Sequence, residues 1–534
     1  MGTPVNGAAA QDSAKKSKDK RDAAAAQRGL QFRRHFTIVG KNPFDEATWE
    51  TRDVSILDDS GQAVFSQHNV EVPAFWSQTA LTVVASKYFA GEHGSPKRES
   101  SIRTLVSRVV ETITGWGIKQ NYFANSESSE AFKAELTHIL LNQYASFNSP
   151  VWFNVGVREQ PQCSACFILS VDDDMDSLLQ LQTREGRLFK WGSGTGSNLS
   201  SIRSSKEKLS GGGTPSGPVS FMRAYDAWAN IIKSGGKTRR AAKMQILNAE
   251  HPDIEEFVDC KAGEEKKAWA LIEQGYDPGF AVAGGAYDSV AFQNANLSVR
   301  VTDEFMRAAV NDELYWTKNV VNGQPCEQLS ARAILEKIAE GTYICGDPGI
   351  QFDTTINDWH TCPATGRINA SNPCSEYMHL DNSACNLSSI NLLKFLETDG
   401  SFNSQDFRHV VDVMITAQDI LIDNASYPFE EVADCAHKFR QLGLGYANLG
   451  AFLMSKGLPY DSDAGREWAA VLTALMTGQA YKASAKIAAG LEPFEGFKPN
   501  RQPMLDVIRK HRDSLSALHL SHIPSVLRDE AAAV

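Results

Sequence analysis

The sequence predicts an α/β protein, on three observations. Apolar residues recur at helical spacing over long stretches, as in Ile102, Leu105, Val106, Val109, Val110 and Ile113, which share one face of a helix. Between such stretches lie short apolar segments, Ser164 to Val171, Gln293 to Val301 and Ser388 to Leu393, bounded by Gly-rich or Asn-rich turns as strands are. Finally, the 534 residues carry 42% hydrophobic and 22% charged side chains, an ordinary balance for a chain that buries a sizeable core. Strands alternating with helices imply a sheet covered by helices, and the length implies two or three domains at roughly 150 residues each.

Taken in chain order, residues 1–28 hold small and charged side chains with almost no large apolar ones. Such a segment cannot offset the entropy of ordering, so a disordered tail is expected. Its Lys15 to Arg21 run is interleaved with Asp and reads as a solvated tail rather than a nucleic-acid contact. From Phe32 the pattern is globular. A helical N-terminal domain is expected over 29–147, followed by a strand-helix body over 148–534. Within that body a second apolar stripe, Val410, Val413, Met414, Ala417, Ile420 and Leu421, marks a helix, and another is expected from Trp468 to Ile487. No repeat of fixed period is present. The chain ends in an Ala-rich AAAV within a helical run, which reads as a chain that continues in a longer native protein.

Lys+Arg of 53 against Asp+Glu of 64 gives 53 − 64 = −11. That balance excludes the global basic field of nucleic-acid binders, so a polyanionic ligand must be held locally. No run of about 18 apolar residues is long enough to span a bilayer, and the first residues lack a signal-peptide core. Cys163, Cys166, Cys260, Cys326, Cys345, Cys362, Cys374, Cys385 and Cys435 are too sparse for a disulfide scaffold. A cytoplasmic protein with no membrane association and no direct nucleic-acid binding is expected.

Three segments carry chemistry. In Asn372-Pro373-Cys374-Ser375-Glu376, Pro373 fixes its own φ and pushes Asn372 toward an extended conformation, which places the segment in a tight loop. In extended geometry Asn372, Cys374 and Glu376 share a face, bringing an amide, a thiol and a carboxylate toward one small ligand. Taken alone, such a cysteine is more often a buried or incidental thiol. The second segment is Gln162-Cys163-Ser164-Ala165-Cys166-Phe167, a CxxC running straight into an apolar strand. It lacks the second ligand pair of a zinc site and the strand-to-helix turn of a thioredoxin motif, so no metal is expected and a redox partner would be a distant cysteine.

The third is Gly192-Ser193-Gly194-Thr195-Gly196-Ser197-Asn198, echoed by Gly211 to Pro218 and by Gly235-Gly236-Lys237-Thr238-Arg239-Arg240. Glycines let backbone N–H groups approach anionic oxygens, so phosphates are the expected guests, although neither standard phosphate fingerprint fits. Ordinary turns are the plainer reading of each loop taken singly.

With these residues in view, the chain resembles the catalytic subunit of the adenosylcobalamin-dependent class II ribonucleotide reductases. SFNSPVWFN, QCSACF, WGSGTGSN, GGGTPSGPVSF, TRRAAKMQILNAEHPDIEEF, FQNANLSVRV and NPCSE…ACNLSSINL occur in that family's order, from about Phe32 onward. The resemblance implies a ten-stranded α/β barrel of two five-stranded halves, with a finger loop carrying a radical cysteine to its centre. It implies Cys374 as the thiyl site, Glu376 as general base and Asn372 as the group that holds the substrate hydroxyls. Cys166 and Cys385 would be the dithiol that supplies two electrons and becomes a disulfide, with Cys163 a neighbour. Ser149, Ala165, Cys166 and Gly194, with Asn372, Pro373, Cys374, Ser375 and Glu376, match the family's substrate-binding positions. Adenosylcobalamin would be the radical source.

The resemblance also implies a deoxynucleoside triphosphate effector bound at a homodimer interface by loops 211–217 and 238–247. Lys237, Arg239, Arg240 and Lys243 would supply the cations for its phosphates. A thioredoxin-like or glutaredoxin-like reductant would restore the dithiol. The family's later barrel strands, phosphate loop and cysteine tail are not found, and neither is its N-terminal ATP cone. The chain therefore reads as a fragment, a truncated form, or one half of a split enzyme with a separate C-terminal chain. Two other readings stand beside ribonucleotide reduction: a class I large subunit, and a non-catalytic nucleotide-binding portion.

Overall fold

The computed structural model describes residues 29–58, 60–209, 211–232, 242–280 and 282–534. The expected tail, 1–28, lies outside the described residues. The N-terminal region opens with an antiparallel hairpin, β1 (Trp49–Leu57) and β2 (Ala63–Pro73). An all-helical reading of this region omits it, because β1 reads WETRDVSIL, with Val54 its one buried residue and no clean period-2 alternation.

The stripe from Ile102 to Ile113 forms the helix Ile102–Lys119, as expected, and Ser101 caps it by accepting the Arg103 N–H at 3.0 Å. The two later stripes form Ser404–Asn424 and Asp463–Gly490. These helices, with Ser126–Leu141, pack around one apolar cluster that contains Ile113, Phe132, Val410, Met414, Val471 and Leu475. The N-terminal region and the C-terminal helices thus share a core.

The body is a sheet. Its strands in chain order begin with β3 (Ala145–Phe147), β4 (Cys166–Ile168), β5 (Gly194–Asn198), β6 (Lys243–Asn248) and β7 (Ala295–Val301). A separate hairpin, β8 (Leu314–Lys318) and β9 (Pro325–Ser330), precedes β10 (Gly349–Phe352). A short pair, β11 (Ala370–Ser371) and β12 (Met378–His379), precedes β13 (Ser383–Asn391) and β14 (Leu442–Ala447).

Seven strands run in the order β10-β7-β6-β5-β4-β13-β14, and β3 pairs with β13 off that path. The first five are parallel to one another, β13 is antiparallel to β4, and β14 is parallel to β13. Two parallel runs therefore meet at one antiparallel seam, and the barrel implied by the resemblance is present as an open arc ending at β10 and β14.

Alternation along the strands separates two faces. Phe167, Leu247, Leu297, Val299 and Val301 pack outward on helical residues such as Leu181, Met222 and Phe257. Cys166, Ile168, Met244, Ile246 and Cys385 pack inward with Ala370 and Tyr377. Both faces are buried, which suits a parallel sheet covered by helices.

Side-chain clamps join the parts. Gln418, fully buried on Ser404–Asn424, donates from Nε2 to the Asn386 carbonyl at 3.2 Å and the Gly443 carbonyl at 2.7 Å, and accepts the Ser388 hydroxyl at 3.0 Å. Tyr122 donates to Asp419 at 2.6 Å, and Arg440 binds Asp419 at 2.9 Å and Asp423 at 2.7 Å, tying the N-terminal region to the start of β14. Among the described residues no helix is long and apolar enough to cross a membrane.

Glu135, 0% exposed, holds the entry of the chain. It accepts the Thr37 hydroxyl at 2.6 Å and the backbone N–H groups of His35 and Phe36 at 3.1 and 3.0 Å, and lies 2.8 Å from His409 Nε2. Burial pushes its pKa up, but the hydrogen bonds from His409, Thr37 and the backbone outweigh burial and bring it down to about 2 from 4.5. A depressed folded-state pKa contributes stability above the unfolded value and loses it as pH falls through the folded one. Glu135→Ala is expected to cost about 3 kcal/mol near neutrality. It should also remove part of the stability loss between pH 4.5 and about 2, read from thermal melts across that range.

Candidate active site

β11 and β12 pair in the register Ala370↔His379 and Ser371↔Met378, so residues 372–377 form the tip of a small hairpin. The tip lies on the inner face of the sheet against β5. A Cβ on Gly196 would overlap the Ser371 carbonyl oxygen, and one on Gly194 would stand 2.6 Å from Pro373 Cγ. The glycines of the WGSGTGSN segment thus make room for a crossing backbone. Gly194–Asn198 is a buried strand rather than a phosphate-binding loop, which corrects the expectation drawn from its composition.

Polar side chains of the inner face hold the loop. Asn198 donates to the Asn369 carbonyl at 2.9 Å, Asn296 to the Pro373 carbonyl at 2.8 Å and Arg300 to the Ile368 carbonyl at 2.7 Å. Gln351 donates to Ser371 Oγ at 2.8 Å and to Ser375 Oγ at 3.2 Å. Sequence reasoning missed all four. The available signal was polar residues at alternate positions of otherwise apolar strands, as at Asn296, Ser298 and Arg300 of β7, of which Ser298 and Arg300 are buried and so need hydrogen-bond partners.

At the tip three predicted groups converge. Asn372, 0% exposed, donates from Nδ2 to Cys166 Sγ at 3.1 Å while its Oδ1 accepts the Tyr377 N–H at 3.0 Å. The Cys166 thiol donates to Glu376 Oε1 at 3.6 Å. Cys374 and Glu376 are exposed. The loop does not keep the extended geometry assumed from the sequence. The Ser375 N–H bonds the Asn372 carbonyl at 3.2 Å and Ser375 has φ of +63°, so a tight turn brings Asn372 and Glu376 together from its two sides.

Cys385 stands directly across from Cys166 in the antiparallel register of β4 and β13. Opposed Cα atoms in such a pair are about 4.5–5.5 Å apart, inside the range a disulfide bridges. Both stand as thiols without a disulfide. Burial pushes the Cys166 thiol up to about 12, helped by the nearby Glu376 charge and opposed by the Asn372 hydrogen bond. Burial, then Cys166 and Glu376, raise Cys385 well above the usual thiol range. Gly443 of β14 lies against this pair, since a Cβ there would stand 3.0 Å from Cys385 Sγ. A cavity of about 780 Å³ opens beside Glu376 and Tyr377, lined also by Tyr122, His379, Arg440 and Gln441.

Ala165 and Gly194 adjoin the site, for the Gly194 N–H bonds the Ala165 carbonyl at 2.8 Å and the Ala165 N–H bonds the Cys385 carbonyl at 3.2 Å. Pro373 is buried under the tip. Ser149 opens the helix Ser149–Asn154 beside the Tyr88 hydroxyl at 3.0 Å, and its neighbour Asn148 reaches β13 through the Leu387 carbonyl at 2.9 Å. Cys163 is buried in the N-terminal core, away from the dithiol's face of the sheet.

Lys237, Arg239 and Arg240 lie outside the described residues. Lys243 does not face a surface ligand: it is 1% exposed on the outer face of β6, its Nζ 2.6 Å from Glu185 Oε2 and 4.9 Å from the centre of the Tyr225 ring. A cation following a Gly-rich loop reads as an anion contact, whereas here it fills a buried ion pair. The loop at Gly211–Gly217 has Gly212 and Gly213 at φ of +84° and +94°, with nothing crowding them, ahead of the helix Gly217–Ile231. Among the described residues no group of three or more His, Cys, Asp or Glu is placed to hold a metal ion.

Two family models match the chain. One, described as the ribonucleotide reductase barrel domain, matches residues 164–522, and one described as class II vitamin B12-dependent ribonucleotide reductase matches residues 50–143. A vitamin B12-dependent ribonucleotide reductase of Rhodopirellula baltica is 51% identical over 523 residues, covering 92% of this chain and 50% of the relative. One of Streptomyces coelicolor is 51% identical over 493 residues, covering 91% and 51%. A vitamin B12-dependent ribonucleoside-diphosphate reductase of Mycobacterium tuberculosis is 32% identical over 427 residues, covering 80% and 57%. The chain spans about half the length of the curated relatives it matches.

Because the loop reaches Cys166 only by lying on a glycine-lined strand, Gly196→Ala is expected to lift it. The overpacking should cost about 1–3 kcal/mol in a thermal or denaturant melt. It should also lower any turnover that depends on Cys374 by about a hundredfold, the effect of a misplacement of about 1 Å.

Proposed function

Since the chain belongs to the class II vitamin B12-dependent ribonucleotide reductases, we propose that it reduces ribonucleotides to 2′-deoxyribonucleotides through a thiyl radical at Cys374. The observation that carries this reading is the convergence of Asn372, Glu376 and the Cys166–Cys385 pair beneath an exposed Cys374. Adenosylcobalamin is the cofactor this family implies, and when bound it supplies an organic radical by cleavage of its carbon–cobalt bond. The fit lies in exposure: Cys374 is the thiol of the site that an incoming group can reach, while Cys166 and Cys385 are buried.

In this reading Cys374 as a thiyl takes hydrogen from C3′ of the ribose. Glu376 accepts the 3′-hydroxyl proton as general base, and Asn372, its amide already oriented by Tyr377 and Cys166, holds the hydroxyls. The 2′-hydroxyl leaves as water. Cys166 and Cys385 give up two electrons and two protons and form one S–S bond, so that the sugar gains hydrogen at C2′ as the dithiol is oxidised. Their raised pKa values keep both protonated near neutral pH, the form that carries the hydrogens. Cys374 then returns hydrogen to C3′.

The partners proposed with this function are a ribonucleotide, a deoxynucleoside triphosphate effector at the loop 211–217, a thioredoxin-like or glutaredoxin-like reductant, and a second copy of the chain; of the second expected effector loop, 238–247, residues 243–247 belong to the buried strand β6. A cytoplasmic location goes with them. The open edges of β10 and β14 support a further part of the barrel, continuing in the same chain or supplied by another, that pairs with both. In domain terms this is a tail over 1–28, a helical N-terminal domain with its hairpin over 29–147, and an incomplete barrel over 148–534.

Purified chain, incubated without oxygen with adenosylcobalamin, dithiothreitol, an effector and either a ribonucleoside diphosphate or triphosphate, should form deoxyribonucleotide detectable by chromatography. Cys374→Ala should abolish it. Cys166→Ala and Cys385→Ala should each abolish it as well, because every turnover oxidises both thiols. Product that appears only when a C-terminal portion of a relative is added would assign the missing strands, and no product even then would sink the catalytic reading.

A further inference from the structure

We propose that Gln351 is a positioning residue for Cys374, acting through Ser375 as a latch between strand β10 and the tip of the hairpin. The inference rests on the reading of Cys374 as the reactive thiol and adds a residue that no motif of the site contains.

Ser375 follows Cys374 and sits at φ of +63°. For a residue with a Cβ the left-handed region costs about 1–2 kcal/mol, and it persists only where surrounding contacts over-determine it. Gln351 supplies such a contact. It is 4% exposed on the inner face of β10, in register with Arg300 of β7. Its Nε2 reaches Ser375 Oγ at 3.2 Å and Ser371 Oγ at 2.8 Å, spanning both sides of the turn that carries Cys374. Ser371 Oγ in turn donates to the Asn372 carbonyl at 2.9 Å, the acceptor that closes the turn with the Ser375 N–H.

The amide cannot reverse. Gln351 Oε1 accepts from Arg300 Nη1 at 3.2 Å, and a guanidinium has only donors, so the NH₂ end must face the serines. Arg300 is itself fixed by Asp353 at 2.6 Å and by the Ile368 carbonyl at 2.7 Å. Asp353 also holds Arg367, just upstream of the hairpin. A buried chain of directional bonds therefore runs from β10 and β7 to the residue beside the reactive thiol, on the side of the loop opposite the Asn372–Cys166 contact. The second anchor restrains rotation of the tip about the first, and that rotation is what would carry Cys374 off its line.

The test uses Gln351→Met, which keeps length and burial but loses the bonds to Ser371, Ser375 and Arg300, together with Ser375→Gly, which accepts the positive φ without strain, and the double variant. The first readout is the alkylation rate of Cys374 in the cofactor-free chain, followed by peptide mass spectrometry. It does not depend on turnover, so it judges the latch even if the reductase reading fails. Gln351→Met should raise that rate about threefold or more, while alkylation of buried Cys166 and Cys385 stays slow.

In turnover assays of the form of the protein that proves active, kcat should fall about ten- to a hundredfold with KM little changed. The double variant should lose less than the product of the two single losses, because both remove the Gln351–Ser375 contact. If Gln351→Met does not fold, Ser375→Ala, which removes the outer acceptor and leaves the buried glutamine, carries the same expectation. Unchanged Cys374 alkylation in the folded variant, or losses in the double variant that equal the product of the single ones, would overturn the proposal.

Discussion

The site depends on one close approach, the backbone of residues 371–373 lying directly on β5. A strand in a buried sheet normally fills its inner face with side chains, and here the two positions under the loop, 194 and 196, have none. The loop is therefore located by backbone against backbone at Gly196 and by the rigid Pro373 ring at Gly194, without the rotamer freedom that other side-chain packing leaves. Everything at the tip follows from that. Asn372 can be fully buried because the crossing delivers its amide to Cys166 and to the Tyr377 N–H. The carbonyls that the crossing would strand away from water are met by Asn198, Asn296 and Arg300 from three positions on the sheet. The strand that makes room, β5, and the strands that satisfy the loop, β5 itself and β7 two places along, belong to one parallel run, so the loop's position is set by that run as a whole.

Depth then separates the thiols by role. A thiol taken from water resists ionisation, and the effect is large enough to put Cys166 near 12, with Glu376 adding to it. A dithiol held neutral is a poor nucleophile and a good hydrogen carrier, which suits the two-electron reduction of a sugar proposed for it. Cys374, on the hairpin tip that lies over these strands, is exposed. Tyr377 closes the floor, its hydroxyl donating to Ser383 at 2.8 Å, and burial raises that phenol too. The ionisable groups beneath the tip are thus kept uncharged while the carboxylate of Glu376 opens to the cavity, a gradient of polarity from the sheet outward.

Much of this was legible in the sequence where the signal is local. Helical stripes gave Ile102–Lys119, Ser404–Asn424 and Asp463–Gly490, and the Asn-Pro-Cys-Ser-Glu run placed an amide, a thiol and a carboxylate in one loop. The pairing of Cys166 with Cys385 came only from family resemblance, because no spacing rule links residues on two strands that meet across a seam. The glycines of β5 were misread for a physical reason: a glycine that admits a phosphate and one that admits a backbone look alike in one dimension. Lys243 was misread likewise, since a strand buried on both faces gives no alternation to show that its first residue points into the helices. The residues that hold the loop, Asn296, Arg300 and Gln351, lie on strands far from it in sequence, and their partners are main-chain carbonyls or serine hydroxyls that carry no motif.

The arc of the sheet finally explains why chemistry and enclosure are separate properties of this chain. Among the described residues β10 and β14 are the unpaired edges, and both touch the site: β10 carries Gln351, and β14 brings Gly443 against Cys385. β14 is half-buried along most of its length, an unusual condition for a central strand and an expected one for an edge beside a cavity. Pairing at these edges would leave the Asn372–Cys166–Glu376 contacts untouched, because every partner in them lies on the loop or on β4. It would instead wall the cavity beside Glu376, remove water from around the carboxylate and strengthen its interaction with whatever lies there. Closure of the barrel on this argument changes the medium in which the site works and leaves its geometry to the glycine crossing.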